Sequence, residues 1–304
     1  MKFLLFLATK KGYEYLKGML EYNKNLIGAV FSFNELNVTE NYFPLIEEEC
    51  FKNGILFFDW IRGKKGLQTL VTEEKINAAI LIGWRYLFDD SILELFHGNV
   101  VIYHDSLLPR YRGFAPTATA VINGEKEIGF TVVFADKEID GGQIIYQKRY
   151  ELRDEYYMKD IVSLLSRGYA ESISEVLSNL SNGKFVAQDH SGATYSCWRD
   201  LSDMEIDWRR SNKDVYNFIR ALGDPYLGAF SYLDERKIII KSSEVLDEDV
   251  RFEIIYPGKL WKISKDQAAV ICGEGLLRIK DCYDDKGNRI VFTNLRKRFA
   301  RKGV

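Results

Sequence analysis

Short unbroken apolar runs alternate with amphipathic stretches along the first third of the chain. Residues 2–8 carry FLLFLA with no turn former, and a helical stretch follows near 12–22. A second apolar run, LIGAVFSF, covers 26–33, and a helical signal near 44–53 leads to ILFFDW at 55–60. A further helix precedes INAAILIGW at 76–84, and NVVIYH follows at 99–104. Continuous rather than alternating apolar runs mark strands buried on both faces. Their alternation with helices predicts βαβ units and a doubly wound, mostly parallel sheet.

After residue 104 the pattern changes. GFTVVFAD (129–136) and QIIYQKRYEL (143–152) are joined by the turn KEIDGG, which predicts an antiparallel pair added to the sheet. Residues 156–180 read as one long amphipathic helix, with Ile161, Leu164, Leu165, Ile173, Val176, Leu177 and Leu180 on one side. The polar, irregular stretch 181–200 is the natural linker. Beyond it one helix, near 211–222, precedes short strands (GAFSYL, KIIIKSS, FEIIYPGKLWKIS, QAAVICG and GLLRIKD) that suggest a small β-barrel. The expected organisation is a larger α/β domain at 1–185, a linker at 186–205 and an OB-like barrel at 206–304.

Composition narrows the classes. The 304 residues are 46% hydrophobic and 28% charged, an ordinary globular balance with a formal net charge of −2. No basic excess or stripe marks a nucleic-acid binder. The most basic stretch, Arg296, Lys297, Arg298, Arg301 and Lys302, reads as a frayed, solvated terminus. The four cysteines, Cys50, Cys197, Cys272 and Cys282, form no CxxC or Cys/His cluster, so neither zinc nor a disulfide framework is expected. The opening apolar run ends in Lys10 and Lys11 without a cleavage site and suits a buried strand better than a signal peptide. No run is long enough to span a bilayer, so a cytoplasmic, reduced protein without membrane attachment is expected.

Ligands of open α/β sheets bind beyond the carboxyl ends of the strands. His104, one of three histidines, stands at such an end, followed at once by the Pro/Arg/Gly-rich loop DSLLPRYRGFAPT. Asp140 lies in the turn between the two later strands. Read alone, it is a turn former beside Gly141 and Gly142. Read with His104, it is a carboxylate able to orient an imidazole and favour its protonated form.

HDSLLPRYRGFAPT followed by INGEKEIGFTVVFADKEIDGGQII resembles the signature of formyltransferases that use N10-formyltetrahydrofolate, including methionyl-tRNA, glycinamide ribonucleotide and sugar N-formyltransferases. IDWRRSNKDVYNFIRAL and PYLGAFSYL, within 206–232, resemble the start of the small C-terminal domain of the methionyl-tRNA and aminoarabinose-type members. The first 75 residues match in pattern only. The resemblance implies a Rossmann-like formyltransferase fold and a catalytic trio of Asn, His and Asp. The last two match His104 and Asp140. The family Asn, donor to the formyl oxygen, falls at Ile102, which cannot donate. Asn99 lies at an odd offset from His104, on the other face of a strand.

The resemblance further implies a pterin against the loop Gly83, Trp84, Tyr86, Leu87 and Phe88 and near Ile139. Leu107 and Pro109 would wall the pocket, and Tyr111, Arg112 and Gly113 would face the acceptor. N10-formyltetrahydrofolate is the expected co-substrate, with no metal. Among acceptors, the stretch NELNVTENYF (34–43), where the family's tRNA-binding loop lies, is acidic to neutral, and SSEVLDEDVRFE (242–253) is acidic. These disfavour tRNA and nucleic acid generally. They favour a nucleotide-linked amino sugar, with Tyr111, Arg112, Tyr156 and Arg220 as unranked contacts. Methionyl-tRNA formylation, formyl-folate hydrolysis and noncatalytic folate binding are the alternatives. A homodimer is the base-rate expectation.

Overall fold

The computed structural model describes residues 1–36 and 38–300. It divides into two compact units. The first comprises Met1–Thr117, Glu127–Glu151 and Asp160–Cys197, and the second Ala118–Lys126, Leu152–Lys159 and the chain from Trp198 onward.

The first unit is built on a seven-stranded sheet. Its strands are β1 (Phe3–Leu7), β2 (Ile27–Ser32), β3 (Leu56–Asp59), β4 (Ala78–Ile82), β5 (Val100–His104), β7 (Glu127–Phe134) and β8 (Ile144–Glu151), in the order β3-β2-β1-β4-β5-β7-β8. The two-residue strand β6 (Arg112–Gly113) stands outside it and pairs with β9 (Tyr195–Ser196). β1 to β5 run parallel, whereas β7 is antiparallel to β5 and to β8. The expected parallel core with an antiparallel pair is therefore present. The order reverses on either side of β1, which makes the carboxyl ends of β1 and β4 a switch point.

Alternation sorts the side chains into two faces. Leu4, Phe6, Ala29, Phe31, Ala79, Leu81, Val100 and Ile102 join one apolar cluster with Trp60, Leu67, Val71 and Phe96. Trp60 begins the helix Trp60–Gly63, and Leu67 and Val71 lie on the helix Leu67–Glu73. On the opposite face Tyr103 packs against Tyr15 of α1 (Thr9–Asn23) with ring centroids 5.1 Å apart, and against Tyr169 at 4.8 Å. Both faces being covered, every residue of β1, β2 and β4 is buried, which is why those strands read as unbroken apolar runs.

The single helix expected at 156–180 is two, Met158–Glu171 and Ile173–Asn182. They meet at Ser172, whose Oγ donates to Tyr169 O at 2.8 Å and lies 3.3 Å from Tyr103 Oη. Ser172 N still donates to Gly168 O at 3.1 Å and Val176 N to Ser172 O at 2.9 Å, so the interruption is a single residue. Residues 186–197, expected as linker, belong to the first unit. Val186 exchanges hydrogen bonds of 2.7 and 2.9 Å with Ile144, and β9 pairs with β6. Two of its polar side chains reach into the unit: Gln188 Oε1 accepts from Arg112 Nη2 at 2.8 Å, and Ser196 Oγ donates to Phe114 O at 2.6 Å.

The second unit holds a six-stranded antiparallel sheet in the order β12-β13-β14-β11-β10-β15. These strands are β10 (Ala229–Leu233), β11 (Arg236–Leu246), β12 (Leu260–Ser264), β13 (Gln267–Ile271), β14 (Leu276–Asp284) and β15 (Phe299–Ala300). Its two ends meet through the bridge Lys259↔Arg298, with Phe299 N donating to Gly258 O at 2.8 Å. The helix Asn212–Leu222 packs on this sheet, its first turn capped by Ser211 Oγ accepting from Asp214 N at 3.1 Å. Two expectations change here. Of the run FEIIYPGKLWKIS only Leu260–Ser264 is strand, because Phe252 packs locally on Trp261 and leaves Ile254 and Ile255 exposed. The basic tail is tied down at its described residues: Lys297 pairs with Asp234 at 2.7 Å and Arg298 Nε donates to Pro257 O. Arg301 and Lys302 lie outside the described residues.

Phe130 is fully buried, with its ring 4.6 Å from Tyr169 and 5.9 Å from Tyr146. Phe130→Ala is expected to lower the free energy of unfolding by about 3–5 kcal/mol, measured by urea denaturation.

Candidate active site

β5 ends at His104, in register with Thr131 of β7. Thr131 then fixes the loop that follows. Its Oγ1 donates to Ser106 O at 2.7 Å and accepts from Leu108 N at 3.1 Å, while Gln147 Nε2 donates to Thr131 Oγ1 and to Leu108 O. Ser106 Oγ donates to Arg110 O at 2.7 Å. With its polar atoms so engaged, the loop folds back and brings Tyr111 over the histidine. His104 Nε2 lies 2.8 Å from Tyr111 O, and Nδ1 lies 3.4 Å from Asp140 Oδ2. Both partners are acceptors. The ring therefore serves both at once only with a proton on each nitrogen, and a neutral ring gives up one of the two contacts.

Asp140 is held from the other side by Gly113, whose N–H donates to the same Oδ2 at 2.8 Å. Tyr111 and Asp140 both take left-handed backbone angles, φ +60° and +52°. Non-glycine residues adopt this region at a cost and do so most often at functional positions. Gly113 is at φ +91°, where a Cβ would stand 2.7 Å from Ser196 O.

Ile102 shares the His104 face of β5, as expected, and packs against the cluster of Leu4, Phe6, Ala79 and Leu81. The wall where a family Asn would stand is apolar. Asn99 precedes β5 at its far end, with N–H donating to Phe96 O.

On the opposite face lies a charged group that sequence reasoning missed. Lys11 Nζ and Tyr169 Oη both bond to the carboxylate of Asp105. Burial, and then the Asp105 charge, raise the Tyr169 hydroxyl well above its ordinary value, so it stays a donor. Nearby in sequence to the same strand ends, Glu35 is buried and pairs with Arg85 at 2.5 Å. Desolvation raises its carboxyl above the usual range against the opposing pull of Arg85 and Lys11. Polar residues at the carboxyl ends of β1, β2 and β4 were the signal available for Lys11, Glu35 and Arg85. Asn37, in the same loop as Glu35, lies outside the described residues.

The expected pterin loop divides. Trp84 packs its ring 5.0 Å from Phe6 and 5.4 Å from Trp60, and Phe88 lies 4.8 Å from Phe6. These two rings face the core. Tyr86 is 38% exposed, Leu87 74% and Ile139 47%, so they remain on the surface. Gly83, at φ +62°, brings the loop against α1: a Cβ there would meet Ala8 O at 2.7 Å. Leu107 lies against Gly129, and Pro109 O accepts from Thr194 N at 3.3 Å.

The expected acceptor contacts need correction. Arg112 is fully buried. Its Nη1 donates to Glu138 Oε1 at 2.8 Å, and its Nη2 to Gln188 Oε1 at 2.8 Å. Those bonds commit the guanidinium to the chain's own carboxylate and amide. Tyr111 is buried and reaches His104 through its carbonyl. Arg220, in the second unit, is buried and donates to the carbonyls of Arg153 and Tyr156 at 3.1 and 3.0 Å, which fixes that turn. In each case an arginine that reads as a surface contact is enclosed by carbonyls or a carboxylate.

A family profile described as "Formyl transferase" matches residues 61–177, and one described as "Formyl transferase, C-terminal domain" matches 200–299. Together they take in more than two thirds of the chain. The chain belongs to the formyltransferase family. This formyltransferase is 29% identical to the methionyl-tRNA formyltransferase of Acetivibrio thermocellus over 81% of its own length and 79% of the relative's. Its fold resembles WlaRD, a sugar 3N-formyl transferase solved with dTDP and 5-N-formyl-THF, at a TM-score of 0.69, with 17% identity, 97% of this chain and 99% of that one covered. It equally resembles an N-formyltransferase of Helicobacter canadensis solved with folinic acid and dTDP-3-aminofucose, at a TM-score of 0.69 and 18% identity, covering 93% of this chain and all of the other.

Gly83→Ala places a methyl group at a left-handed position against the Ala8 carbonyl. It is expected to destabilise the formyltransferase by about 1–3 kcal/mol, read as a lower denaturation midpoint with an unchanged slope.

Proposed function

We propose that this formyltransferase moves the formyl group of N10-formyltetrahydrofolate to the amine of a nucleotide-linked amino sugar, with His104 and Asp140 at the reaction centre. The observation that carries the chemistry is the His104–Asp140 contact at a parallel-strand carboxyl end, beside the loop Gly83–Phe88. The exposed apolar residues Leu87 and Ile139 suit a flat pterin, while Trp84 and Phe88 support the loop from beneath.

The uncharged acceptor amine attacks the formyl carbon. A new C–N bond forms, the C–N10 bond breaks, and one proton passes from the attacking nitrogen to N10. His104 carries that proton on Nε2, which must leave the Tyr111 carbonyl to do so, while Asp140 at Nδ1 stabilises the imidazolium that forms between. Because Ile102 offers no donor to the formyl oxygen, the protonated ring is the group left to steady the developing negative charge.

The acceptor is read from charge. Acidic and basic side chains nearly balance in residues 198–300. Lys262 and Arg278 are paired with Glu248 and Glu244, and Lys297 with Asp234. A polyphosphate backbone needs a cationic track, whereas a nucleotide sugar needs one or two charges. The second reading, methionyl-tRNA, is favoured by the 29% identity to a methionyl-tRNA formyltransferase.

Mass spectrometry of nucleotide-linked amino sugars incubated with enzyme and N10-formyltetrahydrofolate should show a gain of one formyl group on at least one sugar. Formylated methionyl-tRNA with no formylated sugar would reverse the choice of acceptor. His104→Ala and Asp140→Ala are each expected to lower kcat by roughly 10²–10⁴-fold, and full turnover in both would reject the site. Ile102→Asn is expected to raise kcat by about 10-fold or more by adding the amide donor. An unchanged kcat would mean that another donor already serves the formyl oxygen.

A further inference from the structure

The segment 186–197 and the buried guanidinium of Arg112 form a device around Asp140. Gln188 is buried, and its amide is fully used. Nε2 donates to Asp140 O and to Gly142 O, both at 2.7 Å, and Oε1 accepts from Arg112 Nη2 at 2.8 Å. Arg112 Nη1 reaches Glu138 Oε1 at 2.8 Å, and the same oxygen accepts from Tyr195 Oη at 3.0 Å. His190 Nδ1 lies 2.9 Å from Glu138 Oε2 and 3.3 Å from Arg112 Nη2, and the shorter contact makes it a donor to the carboxylate. The Tyr195 hydroxyl first, then the Arg112 and His190 charges, hold Glu138 below the usual carboxylate range. The turn 138–142 is thus gripped at both ends, at Glu138 and at Asp140 and Gly142. The backbone of the gripping arginine closes the circle. Arg112 N donates to Thr194 O at 2.8 Å, and the next amide, of Gly113, donates to the Asp140 carboxylate.

We infer that Arg112 and Gln188 are positioning residues for formyl transfer, which set the Asp140 carboxylate against His104. The inference rests on Asp140 being functional. Three features separate this device from general packing. The amide of Gln188 meets the backbone of Asp140 itself. Asp140 stands at φ +52°, a left-handed conformation uncommon among residues with a Cβ, and the bonds from Gln188 and Gly113 meet it there. And the carboxylate's second donor, Gly113 N–H, belongs to the residue after Arg112, so a shift of Arg112 moves both sides of Asp140 together. A displacement of about 1 Å in a reacting constellation costs on the order of 100-fold in rate.

The experiment compares Gln188→Leu, Arg112→Lys and Asp140→Ala, alone and combined, in formyl transfer at saturating N10-formyltetrahydrofolate. Gln188→Leu should lower kcat by about 10–100-fold, with KM for formyl-folate moved much less and with the acidic limb of the pH–rate profile displaced. Arg112→Lys keeps the charge but loses the fork that serves Glu138 and Gln188 together, and should recover only part of the rate. In the Asp140→Ala background, Gln188→Leu should change kcat by less than about 2-fold, because its effect runs through the missing carboxylate. Should Gln188→Leu fail to fold, Gln188→Asn, one methylene short, takes its place in the same cycle. The inference is overturned if the Gln188 substitution keeps its full factor in the Asp140→Ala background, or leaves kcat unaltered in the parent. If Asp140→Ala alone retains full turnover, the reading of the site fails instead, and that outcome is separate from the other two.

Discussion

One carboxylate oxygen, Asp140 Oδ2, receives the Gly113 amide at 2.8 Å and faces His104 Nδ1 at 3.4 Å. The surrounding structure is arranged so that these three groups can meet. β5 delivers the histidine, β7 supplies Thr131 to fold the SLLP loop back, and that loop returns the Tyr111 carbonyl to the ring's other nitrogen. The antiparallel turn after β7 delivers the aspartate in a left-handed backbone conformation. Local strain at Tyr111 and Asp140 is compensated by hydrogen bonds from elements distant in sequence.

The sheet, its antiparallel addition and the His104–Asp140 pair were legible because each has a local signature: unbroken apolar runs, alternation around a Gly-rich turn, and a histidine at a strand end. Other features had no such signature. Residues 186–197 read as a linker because Gln188, His190 and Tyr195 are polar, and nothing in the sequence says that their partner is a buried arginine. Arg112 reads as a surface contact for the same reason, since burial of a guanidinium depends on acceptors 26 and 76 residues away. His190 was within reach: it is one of three histidines in the chain, and scarcity had already singled out His104. The one-residue interruption at Ser172, across which the bonds of Ser172 N to Gly168 O and Val176 N to Ser172 O persist, is too slight for periodicity to register.

Ile102 gives this formyltransferase an apolar wall where the resemblance implies an Asn donor, and the cluster behind it includes Phe6 and Leu81. Under the proposed mechanism the imidazole has two tasks, proton transfer and charge stabilisation, and its orientation matters correspondingly more. That places the Arg112–Gln188 clamp and the departure at Ile102 in one physical picture: a site with fewer donors relies more on how firmly the remaining one is held.

The most direct test of this account is a crystal structure of the protein with a bound formyl-folate analogue. The account predicts the pterin against the loop Gly83–Phe88 and the formyl carbon within about 3–4 Å of the His104 ring, with Asp140 still held by Gly113. A formyl group bound farther from His104 than one bridging water can span would contradict it.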